Sequence, residues 1–144
     1  MLSGKDRKKI AAVRNMSEFL FVYGTLGRNA GHEMHQHLIK HADYVGQAVF
    51  NGQLFQVAHY PGAVPSPNPE DKVFGDLYRV SNSGELFAHL DDYEGCGPGD
   101  PAPTEFVRRT MPVLQDGAEV QAWIYLFDRD VEGLPRILSG RFSA

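Results

Sequence analysis

The first strong hydrophobic pattern is EFLFVY, residues 18–23, in which nearly every side chain is apolar. A strand with one wet face alternates apolar and polar residues, so an unbroken apolar run predicts a central strand covered on both sides. The run breaks at once into a glycine-rich stretch, GTLGRNAG. HEMHQHLIKH follows with the spacing of a short helix, placing Met34, Leu38 and Ile39 on its inner face. Residues 43–57 read as extended, with Gly46 and Gly52 at positions for bulges or bends that curl a sheet toward a barrel. HYPGAVPSPNPED, dense in proline and glycine, predicts a surface loop covering a pocket.

KVFGDLYRV is the next strand. The helix after it is expected to be capped by Asn82, with Glu85 three residues on in a capping-box pattern and Gly95 as its stop. FVRRTMPVLQ and EVQAWIYLF are two strands joined at Asp116 and Gly117, a DG pair that signals a hairpin. In EVQAWIYLF, Trp123 and Phe127 read as core or sheet-face aromatics. No internal repeat is visible. The expected fold is an α+β chain, rich in strands, with two or three helices.

At 144 residues the chain fits one domain able to bury a core without disulfides or a metal. Residues 1–17 read as a basic tail carrying Lys5, Arg7, Lys8 and Lys9, and residues 18–144 as the single domain. The hydrophobic fraction of 42% belongs to an ordinary globular chain, and no run has the length of a membrane span. A net charge of -4 argues against nucleic acid as the main partner, since phosphate-backbone binding needs a clustered cationic surface. The single cysteine, Cys96, excludes an internal disulfide and suits a reducing, cytoplasmic setting.

A carboxylate stands out in SGELFAHLDDYEG. On a helical wheel with Leu86 at zero, Leu90 falls near roughly 40°, Phe87 near roughly 100° and Tyr93 near roughly -20°, which defines an inward arc. Glu94 falls inside that arc at roughly 80°, with Asp92 opposite and Asp91 at the edge. Burial, the negative helix end and the neighbouring Asp91 and Asp92 would each favour its protonated form, moving a glutamate toward acid/base strength at neutral pH. The alternative is a frayed end in which Glu94 points into water.

YGTL after an apolar strand, with LDDYEG at the end of a later helix, resembles the gamma-glutamylcyclotransferase-like family, including its gamma-glutamylamine cyclotransferase and AIG2-like branches. FGDLYRV, FVRR, AWIY and ILSG extend the resemblance over residues 18–140. It implies a small mixed β-barrel with flanking helices, and an enzyme that converts a gamma-glutamyl compound to 5-oxoproline and an amine or amino acid without a cofactor. Carried over residue by residue, Tyr23, Gly24, Thr25 and Leu26 form the substrate loop, Glu94 is the acid/base and Tyr125 lines the pocket. The substrate's own α-amine is then the nucleophile, and Gly24 and Gly27 suit a loop whose N–H groups grip the substrate carboxylate. The chain departs from the family in carrying Phe106 where a tyrosine often precedes the arginine, here Arg108, and in the loop CGPGDPAPTE. These differences bear on substrate and activity, and keep a second reading open: a non-catalytic module that binds a small carboxylate or a protein.

Other residues carry less. His32, His35, His37 and His41 crowd one helix, but HEMH is one residue short of HExxH and no third ligand is evident, so no metal is expected. Cys96 lies in acidic surroundings, where a thiolate is disfavoured, and reads as incidental. The leaving group and oligomeric state are not legible in the sequence.

Overall fold

The computed structural model describes residues 18–24, 32–81, 83–97, 99 and 104–142. The basic tail, Thr25, Leu26, Gly27, His32, Met34, His35 and Asn82 lie outside the described residues or side chains. Among the described residues, seven strands and two helices follow one another as β1 (Glu18–Val22), α1 (His32–His41), β2 (Ala42–Phe50), β3 (Gly52–Gln56), β4 (Pro61–Pro65), β5 (Val73–Val80), α2 (Ser83–Tyr93), β6 (Phe106–Gln115) and β7 (Ala118–Phe127).

Five strands close a barrel in the order β1-β5-β2-β6-β7, and β3 with β4 form a separate two-stranded sheet. The barrel is mixed: β1 runs parallel to β7 and antiparallel to β5, and the other barrel pairings are antiparallel. The expected small mixed barrel with flanking helices is therefore the observed architecture. Strand β1 is central, as its unbroken apolar run predicts. Leu20 and Val22 pack in a cluster with Leu38 of α1 and Leu86, Phe87 and Leu90 of α2. Phe21, between them, joins a second cluster with Phe50, Leu77 and Ile124 on the opposite face of the sheet. Strand β7 splits the same way, with Tyr125 and Phe127 in the first cluster and Ile124 and Leu126 in the second. Where a strand is buried on both faces its side chains alternate between two cores, as along residues 20–22 and 124–127, with the polar Glu18, Glu119 and Gln121 outside those runs.

The DG turn forms as expected, with positive φ at both Asp116 (50°) and Gly117 (77°), the conformation of a two-residue hairpin loop. A register shift falls between Tyr44 and Gly46, where a bulge was expected. Three expectations need correction. PGAVP is a strand rather than loop: β4 pairs along its whole length with β3, from Gly52↔Pro65 to Gln56↔Pro61. Its prolines stand at the two ends, where a missing N–H is tolerated, and Ala63 between them is fully buried. Ile39 and Tyr93, read as inward, are 58% and 44% exposed. Each sits in the last turn of its helix.

Candidate active site

Helix α2 ends in a hydrogen-bonded turn wrapped around Glu94. The Glu94 N–H donates to the Leu90 carbonyl at 2.8 Å, Gly95 to Asp92 at 3.1 Å and Cys96 to Asp91 at 2.9 Å. The last two are the reversed bonds of a Schellman motif, with Gly95 in the left-handed conformation it needs (φ 74°) and Glu94 at the C-cap position. The end does not fray, and Glu94 is half-buried. Loss of hydration, followed by the charge of Glu105, pushes its carboxyl from the ordinary range up to about 7. The direction matches the sequence expectation, but one of its causes does not. Asp91 is tied into an ion pair and Asp92 is exposed, so the like charge felt by Glu94 comes from Glu105, ahead of β6.

Asp91 accepts two hydrogen bonds from Arg108, from Nε at 2.7 Å and Nη2 at 3.1 Å. The Tyr125 hydroxyl donates to the same Asp91 Oδ1 at 2.6 Å. The Arg108 guanidinium also lies in the corner made by two touching rings, 4.2 Å from the centroid of Phe87 and 4.3 Å from that of Trp123. The Tyr125 hydroxyl is therefore engaged by protein, on Asp91 in the last turn of α2. Burial and the Asp91 carboxylate hold that phenol far above its ordinary pKa.

Tyr23 is likewise committed. Its hydroxyl donates to the Tyr125 carbonyl at 2.5 Å and accepts from the Ala63 N–H at 3.1 Å, tying the end of β1 to β7 and β4. Burial raises its pKa, with Glu94 adding to the rise, so the ring stands within electrostatic reach of the carboxylate. At Gly24 an added Cβ would lie 3.0 Å from Pro61 Cγ, so the missing side chain serves packing against β4. Three of the sequence-predicted residues, Tyr23, Tyr125 and Glu94, are thus brought to one end of the barrel, with Gly24 next to Tyr23. Thr25 and Leu26 are the two whose placement is not described.

Sequence reasoning missed Tyr60 and Glu105. The turn between β3 and β4 carries Tyr60 over Phe106, with ring centroids 5.9 Å apart, and its hydroxyl donates to Glu105. A phenol is thereby supplied above the very position where Phe106 lacks one. Burial, with Glu105 as hydrogen-bond partner, pushes that phenol up to about 12. No local sequence signal links Tyr60 to Phe106, because the segment carrying it reads as loop. Arg108 was legible in principle: the two-residue DG turn pairs Gln115 with Ala118, and counting back along both strands sets Arg108 opposite Tyr125, as observed.

The described histidines of α1 stand apart, and His32 and His35 lie outside the described side chains. His37 stacks on His89 at 4.1 Å, whereas His41 faces Glu85 with Nε2 to Oε1 at 3.8 Å. Among the described residues no group of three metal-binding side chains is present. Burial and the charges of Asp91 and Glu94 push the Cys96 thiol up to about 11, leaving it unsuited to nucleophilic work.

A model of the family described as gamma-glutamyl cyclotransferase, AIG2-like, matches residues 20–144. The chain belongs to this family. Its relatives include the gamma-glutamylcyclotransferase family protein YtfP of Escherichia coli K12, 33% identical over 122 residues that cover 84% of this chain and 92% of the relative. The corresponding protein of Citrobacter rodentium is 33% identical over 124 residues, covering 85% and 93%. The solution structure of YtfP from Escherichia coli superposes with a TM-score of 0.59 at 31% identity, over 86% of this chain and 95% of that one. The crystal structure of an AIG2-like protein from Mus musculus gives 0.67 at 24% identity, over 88% of each chain, a likeness of fold. Family membership agrees with the barrel described above, and with a chain in which no described helix is long and apolar enough to cross a membrane.

Proposed function

We propose that this protein is a cofactor-independent gamma-glutamyl cyclotransferase that releases 5-oxoproline and an amine or amino acid, with Glu94 as its acid/base. The observation that carries the reading is the half-buried Glu94 carboxyl, raised to about 7 at the capped end of α2, in a chain of this family. A group titrating near neutrality both accepts and returns a proton at little cost, which is what the reaction demands of it.

In the proposed cycle the substrate folds so that its α-nitrogen reaches the γ-carbonyl carbon. The new C–N bond closes a five-membered ring as Glu94 takes a proton from the α-nitrogen. The bond to the leaving nitrogen then breaks as Glu94 returns that proton to it. No enzyme nucleophile takes part; the protein holds the folded conformer and moves the proton. Residues 23–26 would grip the glutamyl α-carboxylate through backbone N–H groups. Because the Tyr23 and Tyr125 hydroxyls are engaged by protein, these two residues would contribute walls rather than free donors. We place this activity in the cytoplasm, in keeping with a single, unpaired cysteine.

The test is 5-oxoproline release from a panel of gamma-glutamyl amino acids, gamma-glutamyl amines and glutathione. Turnover of at least one substrate is expected, with a loss of about a hundredfold or more in Glu94→Gln, the scale of general acid–base catalysis. A folded wild type that binds 5-oxoproline but turns over nothing would replace the enzyme by a carboxylate-binding module on the same fold.

A further inference from the structure

The residue that ties α2 to the barrel also closes the turn around Glu94. The side chain of Asp91 receives Arg108 and Tyr125, which face each other across β6 and β7. Its backbone carbonyl receives the Cys96 N–H, the bond that closes the turn on the far side of Glu94. Thus Asp91 precedes Glu94 by three residues and is fixed twice, to the sheet through its carboxylate and to the following chain through its carbonyl. Arg108 is in turn held in one orientation by the rings of Phe87, on the same helix, and Trp123, on β7.

An ion pair that only fastened a helix would need neither the two-point geometry nor the contacts with two rings. A lysine can fasten, but only a planar guanidinium lies against aromatic rings while offering two parallel N–H donors. The Asp91 and Arg108 side chains are 19% and 22% exposed, so water competes weakly for these bonds.

We propose that Arg108 and Tyr125, acting through Asp91, are positioning residues that hold the Glu94 carboxylate in its half-buried place at the end of α2. The inference rests on the reading of Glu94 as the acid/base. It also gives the Tyr125 hydroxyl an anchoring role beside the wall that its ring would contribute. Asp91 is paired with Arg108, and the anion that acts on Glu94 is Glu105. Among the described residues, the remaining titratable groups that feel Glu94 are Tyr23 at the end of β1, Tyr60 in the β3–β4 turn and Cys96 in its own turn. Each of the three is held protonated well above neutrality, so a change in Glu94 titration reports its position rather than a neighbour's charge.

Two variants that preserve charge make the test. Arg108→Lys keeps the cation but loses the fork and the stacking; Tyr125→Phe removes one hydroxyl. Glu94 is titrated directly by carbon-13 NMR of its carboxyl, with Glu94→Gln assigning the signal, and kcat and KM are measured wherever turnover is found. In Arg108→Lys the Glu94 midpoint should fall toward that of a hydrated glutamate by about one pH unit or more, a tenfold loss in proton affinity. Its kcat should drop about tenfold or more with KM little changed, as expected when the acid/base is misplaced but the substrate still binds. Tyr125→Phe should move the same midpoint in the same direction by less.

If both variants fold and Glu94 titrates as in the wild type, the anchor merely fastens the helix and the proposal fails. If Arg108→Lys does not fold, Tyr125→Phe decides the matter alone. If the wild type turns over no gamma-glutamyl substrate and the midpoint still falls in the variants, the positioning stands while the proposed activity fails. With turnover and an unmoved midpoint, the activity stands and the positioning fails.

Discussion

At the level of single residues, this site works by withholding water from one carboxylate and leaving another charge near it. Glu94 loses hydration at the capped helix end, and Glu105 adds repulsion against its ionised form. The Glu105→Gln substitution removes that repulsion and leaves the burial, so the Glu94 midpoint should move down from about 7 without reaching an ordinary glutamate value. If cyclisation uses ionised Glu94 to take the α-nitrogen proton, the acid limb of kcat/KM should move to lower pH by the same amount. A pH–rate profile of the two proteins checks this, and an unmoved limb would mean that Glu105 does not tune the acid/base. The position of Glu94 was legible in the sequence from helical spacing. The source of its like charge was not, because Asp91 and Asp92 are neighbours in sequence while Glu105 becomes one only when β6 folds back past the end of α2.

Among the elements, the α2 terminus depends on a glycine. An alanine at Gly95 would meet nothing within 4 Å, so its whole effect would be the strain of a left-handed φ of 74°. Gly95→Ala should therefore cost about 1 kcal/mol of stability, measured by urea unfolding, and Gly95→Asn less, since asparagine tolerates that conformation. A cost near zero would mean that the Schellman turn relaxes without loss. The stop at Gly95 and the DG hairpin were readable because backbone conformation restricts which residues fit such turns. The β3–β4 pairing was not readable, because its prolines stand at strand ends that only the paired register reveals. That hairpin sets Tyr60 on Phe106 and supplies the Ala63 N–H to Tyr23.

For the molecule as a whole, the raised Glu94 pKa links folding to pH. The folded protein binds this proton more tightly than the unfolded chain, whose glutamate keeps its ordinary value of 4.5. The stabilisation is fully present below the unfolded value and is lost as pH rises through about 7. Its size is on the order of 3 kcal/mol, from about 1.4 kcal/mol for each pH unit that separates the folded and unfolded values. Denaturant unfolding between these two pH values should show stability falling with pH by an amount that disappears in Glu94→Gln. Equal pH dependence in the two proteins would mean that Glu94 is hydrated in the folded state. At lower pH the sign reverses at Asp71, held down to about 2 by Ser66, Gln53 and Arg136. Its contribution is present above the ordinary carboxylate range and is lost as pH falls through about 2. That group lies at the surface, partly covered, and joins the region after β4 to the C-terminal segment, where Arg136 bridges to Phe55 of β3.

Local side-chain chemistry was enough to say where the chain must be covered and where it must turn. Apolar runs demand burial on both faces of β1 and β7, and positive-φ positions demand Gly95 and the DG pair, whatever the rest of the molecule does. The YGTL and LDDYEG segments also pointed to the family. Which polar atoms satisfy one another was a matter of three-dimensional packing: Tyr125 and Arg108 on Asp91, Tyr23 between Tyr125 and Ala63, and Tyr60 on Glu105. Each of these bonds joins separate elements, and its partner is chosen by strand register and helix docking rather than by spacing along the chain.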